Sequence, residues 1–297
     1  GVDQEGCLPK TAWPPTFCPR GCGINRDENI GFCGQENKIK IANFSLHMWE
    51  EPCISYEKGS GTVFFSGCSL KCVYCQNYEI SSENVGQVIS IQDLANIFKE
   101  LDKKADNINL VNPTHFSNLI IEALKIYKPK NPVIYNTHGY ELASIVEKLS
   151  PYVDIFLTDF KYYSPELSLK YSGAKDYFQV ATKALDKMIE LKPNIFKDGK
   201  MLQGVIVRHL ILPNLTEDSK KVLSYIASKH KDVTLSIMAQ YTPYGRAKEF
   251  PEINRKITAR EYDELIDYAV ELGLDGYMQE LTSADQCYIP KFSNKVI

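Results

Sequence analysis

The stretch "FFSGCSLKCVYCQN", residues 64–77, sets Cys68, Cys72 and Cys75 close together directly behind an apolar run. Thiols at this density point to metal or redox chemistry. A structural zinc ion closes with four ligands, so C-x3-C-x2-C leaves it one short unless a distant cysteine completes a knuckle. A four-iron cluster held by three cysteines instead keeps one iron open, free to chelate a small molecule through an amino and a carboxylate group.

A second group of thiols lies upstream. Cys18, Cys22 and Cys33 stand among Gly and Pro in "FCPRGCGINRDENIGFCG", with Cys7 before them and Cys53 after them as further candidate ligands. The pattern predicts a second metal centre, either zinc or an auxiliary iron–sulfur cluster, in a loop-rich lobe spanning residues 1–60 that covers one end of the remaining chain. Zinc is slightly favoured, because Gly and Pro turns can gather separated thiolates around one tetrahedral ion. A metal-free group of buried thiols is the alternative. Disulfides are not expected: the nine cysteines are an odd number, and 297 residues need no staples. Cys287 reads as a buried or incidental thiol.

Composition narrows the partners. With 44% apolar and 24% charged residues the chain can bury a large core. Its formal charge is -3 and its lysines are dispersed, so no basic stripe invites nucleic acid. No run approaches the ~18 apolar residues of a membrane span, and the first thirty residues lack the apolar centre of a signal peptide. A cytoplasmic protein without nucleic-acid or membrane partners is expected.

From residue 62 onward the elements that must position the thiols alternate as βαβα. "TVFFSG" (62–67) reads as a buried strand leading into the cysteines. Helix 90–105 follows, opened by a Ser cap, then strand 107–115, helix 117–128, strand 132–140 and helix 141–150. Strand 153–163, helix 176–192, strands 204–214 and 232–245, helix 258–273 and a short strand 276–280 complete the series. Polar residues collect at the strands' C-terminal ends: Asn112 and Thr114, Asn136 and Thr137, Asp159 and Lys161, Arg208, and Gln240. Parallel α/β folds place their ligands there.

C-x3-C-x-aromatic-C at the end of a first strand, followed by a six-fold βα repeat, resembles the radical S-adenosylmethionine (radical SAM) superfamily. "GSGTVFFSGCSLKCVYCQNYEIS" together with "CPRGCGINRDENIGFCG" resembles an uncharacterised branch related to pyruvate formate-lyase activating enzyme. The resemblance implies a partial (β/α)6 TIM-like barrel over residues 61–297, a 4Fe-4S cluster on Cys68, Cys72 and Cys75, and S-adenosylmethionine on its open iron. It further implies a flavodoxin or ferredoxin as one-electron donor, anaerobic chemistry, and a 5'-deoxyadenosyl radical that takes a hydrogen atom from the substrate.

The resemblance also implies roles for single residues. Tyr74 would line the adenine. Asp159 and Lys161 look like the Asp-x-Lys of activating enzymes that serves the ribose and its neighbouring charge, the alternative being a solvated pair. Arg208 suits the methionine carboxylate, an anionic substrate or a salt bridge. Asn136 and Thr137 suit ribose hydroxyls or a turn. Where relatives carry Gly-Gly-Glu after the second strand this chain has "VNPTH", so Asn112, Thr114 and backbone carbonyls would receive the cofactor's amino group. His115 would contact substrate or serve structure. "AQYTPYG" replaces a Tyr-His pair, leaving Gln240 and Tyr241 as its counterparts. Three functions remain: hydrogen abstraction from a glycine of a partner protein, the same chemistry on a small metabolite or peptide, or non-enzymatic electron carriage. The first is slightly favoured, and the open-iron motif speaks against the last.

Overall fold

The computed structural model describes residues 17–278 and 292–297. The elements run β1 (Lys40–His47), β2 (Ser60–Phe65), α1 (Tyr78–Ser81), β3 (Gln87–Val88), α2 (Ile91–Leu101), β4 (Asn107–Val111) and α3 (Ser117–Ile126). They continue with β5 (Val133–Thr137), α4 (Ala143–Leu149), β6 (Ile155–Asp159), α5 (Pro165–Ser172), α6 (Tyr177–Leu191) and β7 (Ile195–Lys197). Then come β8 (Lys200–Leu210), α7 (Thr216–Lys229), β9 (Thr234–Met238), α8 (Ala259–Glu271) and β10 (Gly276–Met278).

One curved sheet carries them in the order β3-β1-β2-β4-β5-β6-β8-β9-β10, parallel from β2 to β10 and antiparallel at β1 and β3. Among the described residues its two edges do not pair, so the barrel is partial. Local chemistry fixes several element ends. Ser90 and Asp93 form a reciprocal capping box at α2, and Thr258 and Glu261 do the same at α8. α5 begins on Pro165 and stops at Gly173, whose φ of 59° is the left-handed C-cap conformation.

Strand alternation separates two apolar layers. Val133 and Tyr135 of β5 join the large core beneath the helices, whereas Ile134 faces the barrel interior with Ile155, Leu157 and Ile206. Cys53 and Ile54 pack into this inner layer from the segment after β1. There Asn107 Nδ2 donates to the Ile54 carbonyl at 2.6 Å and the Met201 N–H to the Cys53 carbonyl at 2.8 Å. The segment closes the N-terminal end of the lumen.

Strands and helices expected from sequence are present, with ends shifted by a few residues; Gln279 and Glu280 of the last strand lie outside the described residues. β1, β3, α1, α5, β7 and α7 were not foreseen. β1, "KIANFSLH", mixes buried and half-exposed positions without alternation, yet it pairs with β2 from Ile41↔Phe65 to His47↔Ser60. The barrel's sheet therefore extends across residue 60, where sequence reading ends the N-terminal lobe.

Candidate functional site

β2 delivers the chain to Ser66, Gly67 and Cys68 at the C-terminal mouth of the barrel. Gly67 has φ 82°, and a Cβ there would stand 2.5 Å from the Cys33 carbonyl oxygen, so glycine admits both the turn and the close pass of the upstream chain. The thiol loop is laced by backbone: Gly67 N–H donates to the Ile80 carbonyl (2.7 Å), Cys68 N–H to that of Cys33 (3.2 Å) and Val73 N–H to that of Tyr171 (2.9 Å). Asn112, in the left-handed region at φ 58°, donates through Nδ2 to the Gly67 carbonyl.

Cys68 and Cys72 are buried and Cys75 is half-buried; none is in a disulfide. Burial pushes Cys68 up to about 12, with the facing Cys72 and Cys75 thiols adding to it, and burial with Cys72 pushes Cys75 to about 11. The three thiols thus face one another in one pocket, and Lys161 brings positive charge to Cys72 and Cys75. Among the described residues no three His, Cys, Asp or Glu side chains surround a single ion. Cluster thiolates need no such convergence, because each binds its own iron.

Beside the thiols lies a buried charge network. Asp159 takes Lys161 Nζ on Oδ2 at 2.6 Å and Arg208 Nε on Oδ1 at 3.0 Å. Burial raises this carboxyl, but Lys161 and Arg208 more than offset it and hold Asp159 at about 2. Arg208 also donates to Asn136 Oδ1 at 2.6 Å and has Glu50 3.8 Å away. Glu50 and Glu51 enter the lumen from below. Burial pushes both up, Glu51 to about 7, and Asn109 Nδ2 donates to Glu50 at 2.8 Å. Glu51 faces the Ser236 hydroxyl, and Asn109 Oδ1 is buried without a partner.

The network unites Asn136, Asp159, Lys161 and Arg208, four of the polar residues at the strand ends. Thr114 and Thr137 stand apart from it, donating to Oε1 of buried Glu141 at 2.6 and 2.5 Å. Burial pushes Glu141 to about 7, and its Oε2 has no partner. Tyr74 shares a 2.6 Å hydrogen bond with Tyr162, its ring edge-on to Tyr171 and Tyr241. Gln240 presents its backbone carbonyl to Gln76 Nε2 at 2.9 Å, while Tyr241 is buried and donates to the Ile253 carbonyl at 2.7 Å. His115 is buried, burial lowers it to about 3, and it is bonded through Nε2 to the Ser66 carbonyl at 2.7 Å, which ties it to the thiol loop.

Residues 18–35 lie over this mouth. Arg20 donates to the carbonyls of Ser69 (2.6 Å), Gly173 (2.5 Å) and Ser172 (2.9 Å), with its guanidinium 4.2 Å from the Phe32 ring centroid. Cys18, Cys22 and Cys33 are within electrostatic reach of one another. Cys53 is not with them: it packs in the floor of the lumen beside Tyr277 and cannot be their fourth ligand. Cys7 and Cys287 lie outside the described residues. Sequence reading missed Arg20, Glu50, Glu51, Glu141 and Ser172. No spacing marks "MWEEP" (48–52) as part of the lumen.

Residues 62–226 match the Radical SAM superfamily. Over 269 residues the chain is 31% identical to an uncharacterised protein, MJ0674, of Methanocaldococcus jannaschii, covering 87% of this chain and 75% of that one. It is 24% identical to the pyruvate formate-lyase-activating enzyme of Clostridium pasteurianum, covering 74% of this chain and 90% of the relative. Among solved structures, Streptococcus suis SuiB superposes with a TM-score of 0.50 at 16% identity over 74% of this chain and 49% of SuiB, a likeness of fold.

The chain belongs to the radical SAM superfamily. It is a radical SAM enzyme, and its cofactors are a 4Fe-4S cluster and S-adenosylmethionine. The residues present fit them: three unpaired thiols share one buried pocket, and a cationic and hydrogen-bonding wall stands beside it. Among the described residues no helix is long and apolar enough to cross a membrane.

Proposed function

We propose that this enzyme reductively cleaves S-adenosylmethionine and abstracts a hydrogen atom from a glycine of a partner protein, as an activating enzyme does. The observation that carries the cleavage reading is the placement of Cys68, Cys72 and Cys75 in one pocket beside the Lys161–Asp159–Arg208 network. When bound, the cluster and S-adenosylmethionine supply a 5'-deoxyadenosyl radical. Cys68, Cys72 and Cys75 hold three irons. Asp159 accepts from ribose, Arg208 and Asn136 orient the polar end of the cofactor, and Tyr74 closes the pocket against water with the tyrosines around it. A flavodoxin or ferredoxin supplies the electron. The relation to an activating enzyme over 74% of the chain supports the protein substrate.

One feature favours the second reading, a small metabolite or peptide. The lumen is floored by Glu50–Ile54 and holds an unpartnered acceptor on Asn109 beside Glu50 and the buried Glu51, which suits a small molecule bearing N–H or O–H groups. Anaerobic reconstitution with iron and sulfide, followed by assay of 5'-deoxyadenosine, tests the function. A rise on adding the macromolecular fraction of cell extract supports the protein substrate. A rise with the small-molecule fraction alone transfers it to the second reading. No 5'-deoxyadenosine under dithionite refutes both.

We further propose that Cys18, Cys22 and Cys33 hold a second metal centre. In a variant lacking Cys68, Cys72 and Cys75, retention of up to about four irons identifies a cluster, and about one zinc identifies zinc. Neither metal, with all three thiols rapidly alkylated, refutes it.

A further inference from the structure

Three buried hydroxyls run in file to one sulfur of the thiol pocket. Tyr74 and Tyr162 share a 2.6 Å hydrogen bond, Tyr162 and Ser172 share one of 2.8 Å, and Ser172 Oγ stands 2.9 Å from Cys72 Sγ as its donor. The file joins the thiol loop to β6's exit and to the C-terminus of α5. Its direction follows from proton counting. A thiolate that binds iron carries no proton and can only accept. The single Ser172 proton therefore points at sulfur, Tyr162 must donate to Ser172, and Tyr74 must donate to Tyr162.

We propose that Tyr74, Tyr162 and Ser172 form a one-way hydroxyl relay onto the Cys72 sulfur that raises the reduction potential of the cluster. Hydrogen bonds to cluster sulfurs are among the levers that set such potentials, since a donor stabilises the added negative charge of the reduced state. Aligned hydroxyls polarise one another, so each tyrosine strengthens the next donor in a pocket from which water is excluded. Cys68 is served differently, its sulfur accepting from the Leu70 backbone N–H at 3.3 Å.

The serine hydroxyl can be removed without loosening its surroundings. Arg20 holds the Ser172 carbonyl at 2.9 Å, and Val73 N–H holds that of Tyr171 at 2.9 Å. Ser172→Ala thus deletes the donor and leaves the backbone anchored. The inference rests on the cluster being held by Cys68, Cys72 and Cys75, which iron analysis of the unaltered protein and of its triple-Cys variant tests separately.

The experiment is redox titration of the reconstituted protein followed by electron paramagnetic resonance. Ser172→Ala is expected to move the midpoint to more negative potential, Tyr162→Phe less far in the same direction, and Tyr74→Phe least. Proton–cluster coupling measured before and after transfer to deuterium oxide should show an exchangeable proton that Ser172→Ala removes and Tyr162→Phe keeps. A merely structural serine would move neither. Wild-type midpoints in all three variants, or an unchanged exchangeable proton in Ser172→Ala, overturn the relay. Should Ser172→Ala lose iron, the two Tyr→Phe variants keep the serine donor and read the same shift, and wild-type midpoints in both overturn the proposal.

Discussion

The Cys33 carbonyl accepts a 3.2 Å hydrogen bond from the N–H of Cys68, stitching an upstream cysteine to the first thiol of the motif. Gly67 makes the approach possible. Gly67→Ala would set a methyl 2.5 Å from the Cys33 oxygen and force alanine to φ 82°. A loss of roughly 1–3 kcal/mol is expected by chemical denaturation, together with weaker iron retention. Gly199→Ala is the control, because its φ is 77° with nothing within 4 Å, and it should lose only about 1 kcal/mol.

Replacing Cys68, Cys72 and Cys75 together with Ala should abolish their iron and all dithionite-driven 5'-deoxyadenosine. The barrel core lies elsewhere, so circular dichroism should still show the folded α/β spectrum. Persistent 5'-deoxyadenosine formation would show that the assignment of these thiols is wrong.

Asp159 balances two buried cations. Asp159→Asn would leave Lys161 and Arg208 to share one neutral amide, and the loss should be roughly 3–5 kcal/mol by denaturant titration. Adding Lys161→Met to that variant should restore part of the stability, since it removes one of the stranded charges. If the double variant is no more stable than Asp159→Asn, the two charges are not coupled as the geometry indicates.

Glu141 gives stability a pH dependence opposite in sign to that of Asp159. Burial raises it from 4.5 to about 7, so the folded chain keeps a proton that the unfolded chain releases. Its contribution is complete below pH 4.5 and lost as pH rises to about 7, amounting to about 3 kcal/mol at about 1.4 kcal/mol per unit. Glu51 titrates over the same interval. Buried His115 and His138, both held at about 3, act in the opposite direction over this interval, so the test is the difference between proteins: the unfolding free energy of wild type relative to Glu141→Gln should fall by about 3 kcal/mol from pH 4.5 to 7, and a constant difference would contradict the buried, protonated carboxyl.

Strands β2, β4, β5, β6, β8 and β9 were legible because parallel strands buried on both faces become short apolar runs between amphipathic helices. β1 was not read as a strand, although "NFSLH" alternates polar and apolar residues, because the run is short and its antiparallel pairing with β2 is a tertiary event. The thiol motif and the Asp159, Lys161 and Arg208 group were visible as residue types at strand ends. Thr114 and Thr137 were visible too, but their partner Glu141 reaches them only through the folded turn after β5. Ser172 and Cys72 are a hundred positions apart, a separation over which no local pattern speaks.

The floor that Glu50–Ile54 lays across the lumen shuts the end opposite the thiols. For a small molecule that enters at the thiol mouth and lodges at Glu51, the route runs past Cys68, Cys72 and Cys75, so the deeper guest arrives first and departs last. An ordered kinetic mechanism is then expected for a small substrate. S-adenosylmethionine bound early would act as a stopper, and excess cofactor should show substrate inhibition. A glycine on a partner's loop would dip only into the neck of the barrel and escape that queue, which gives steady-state kinetics a way to tell the two kinds of substrate apart.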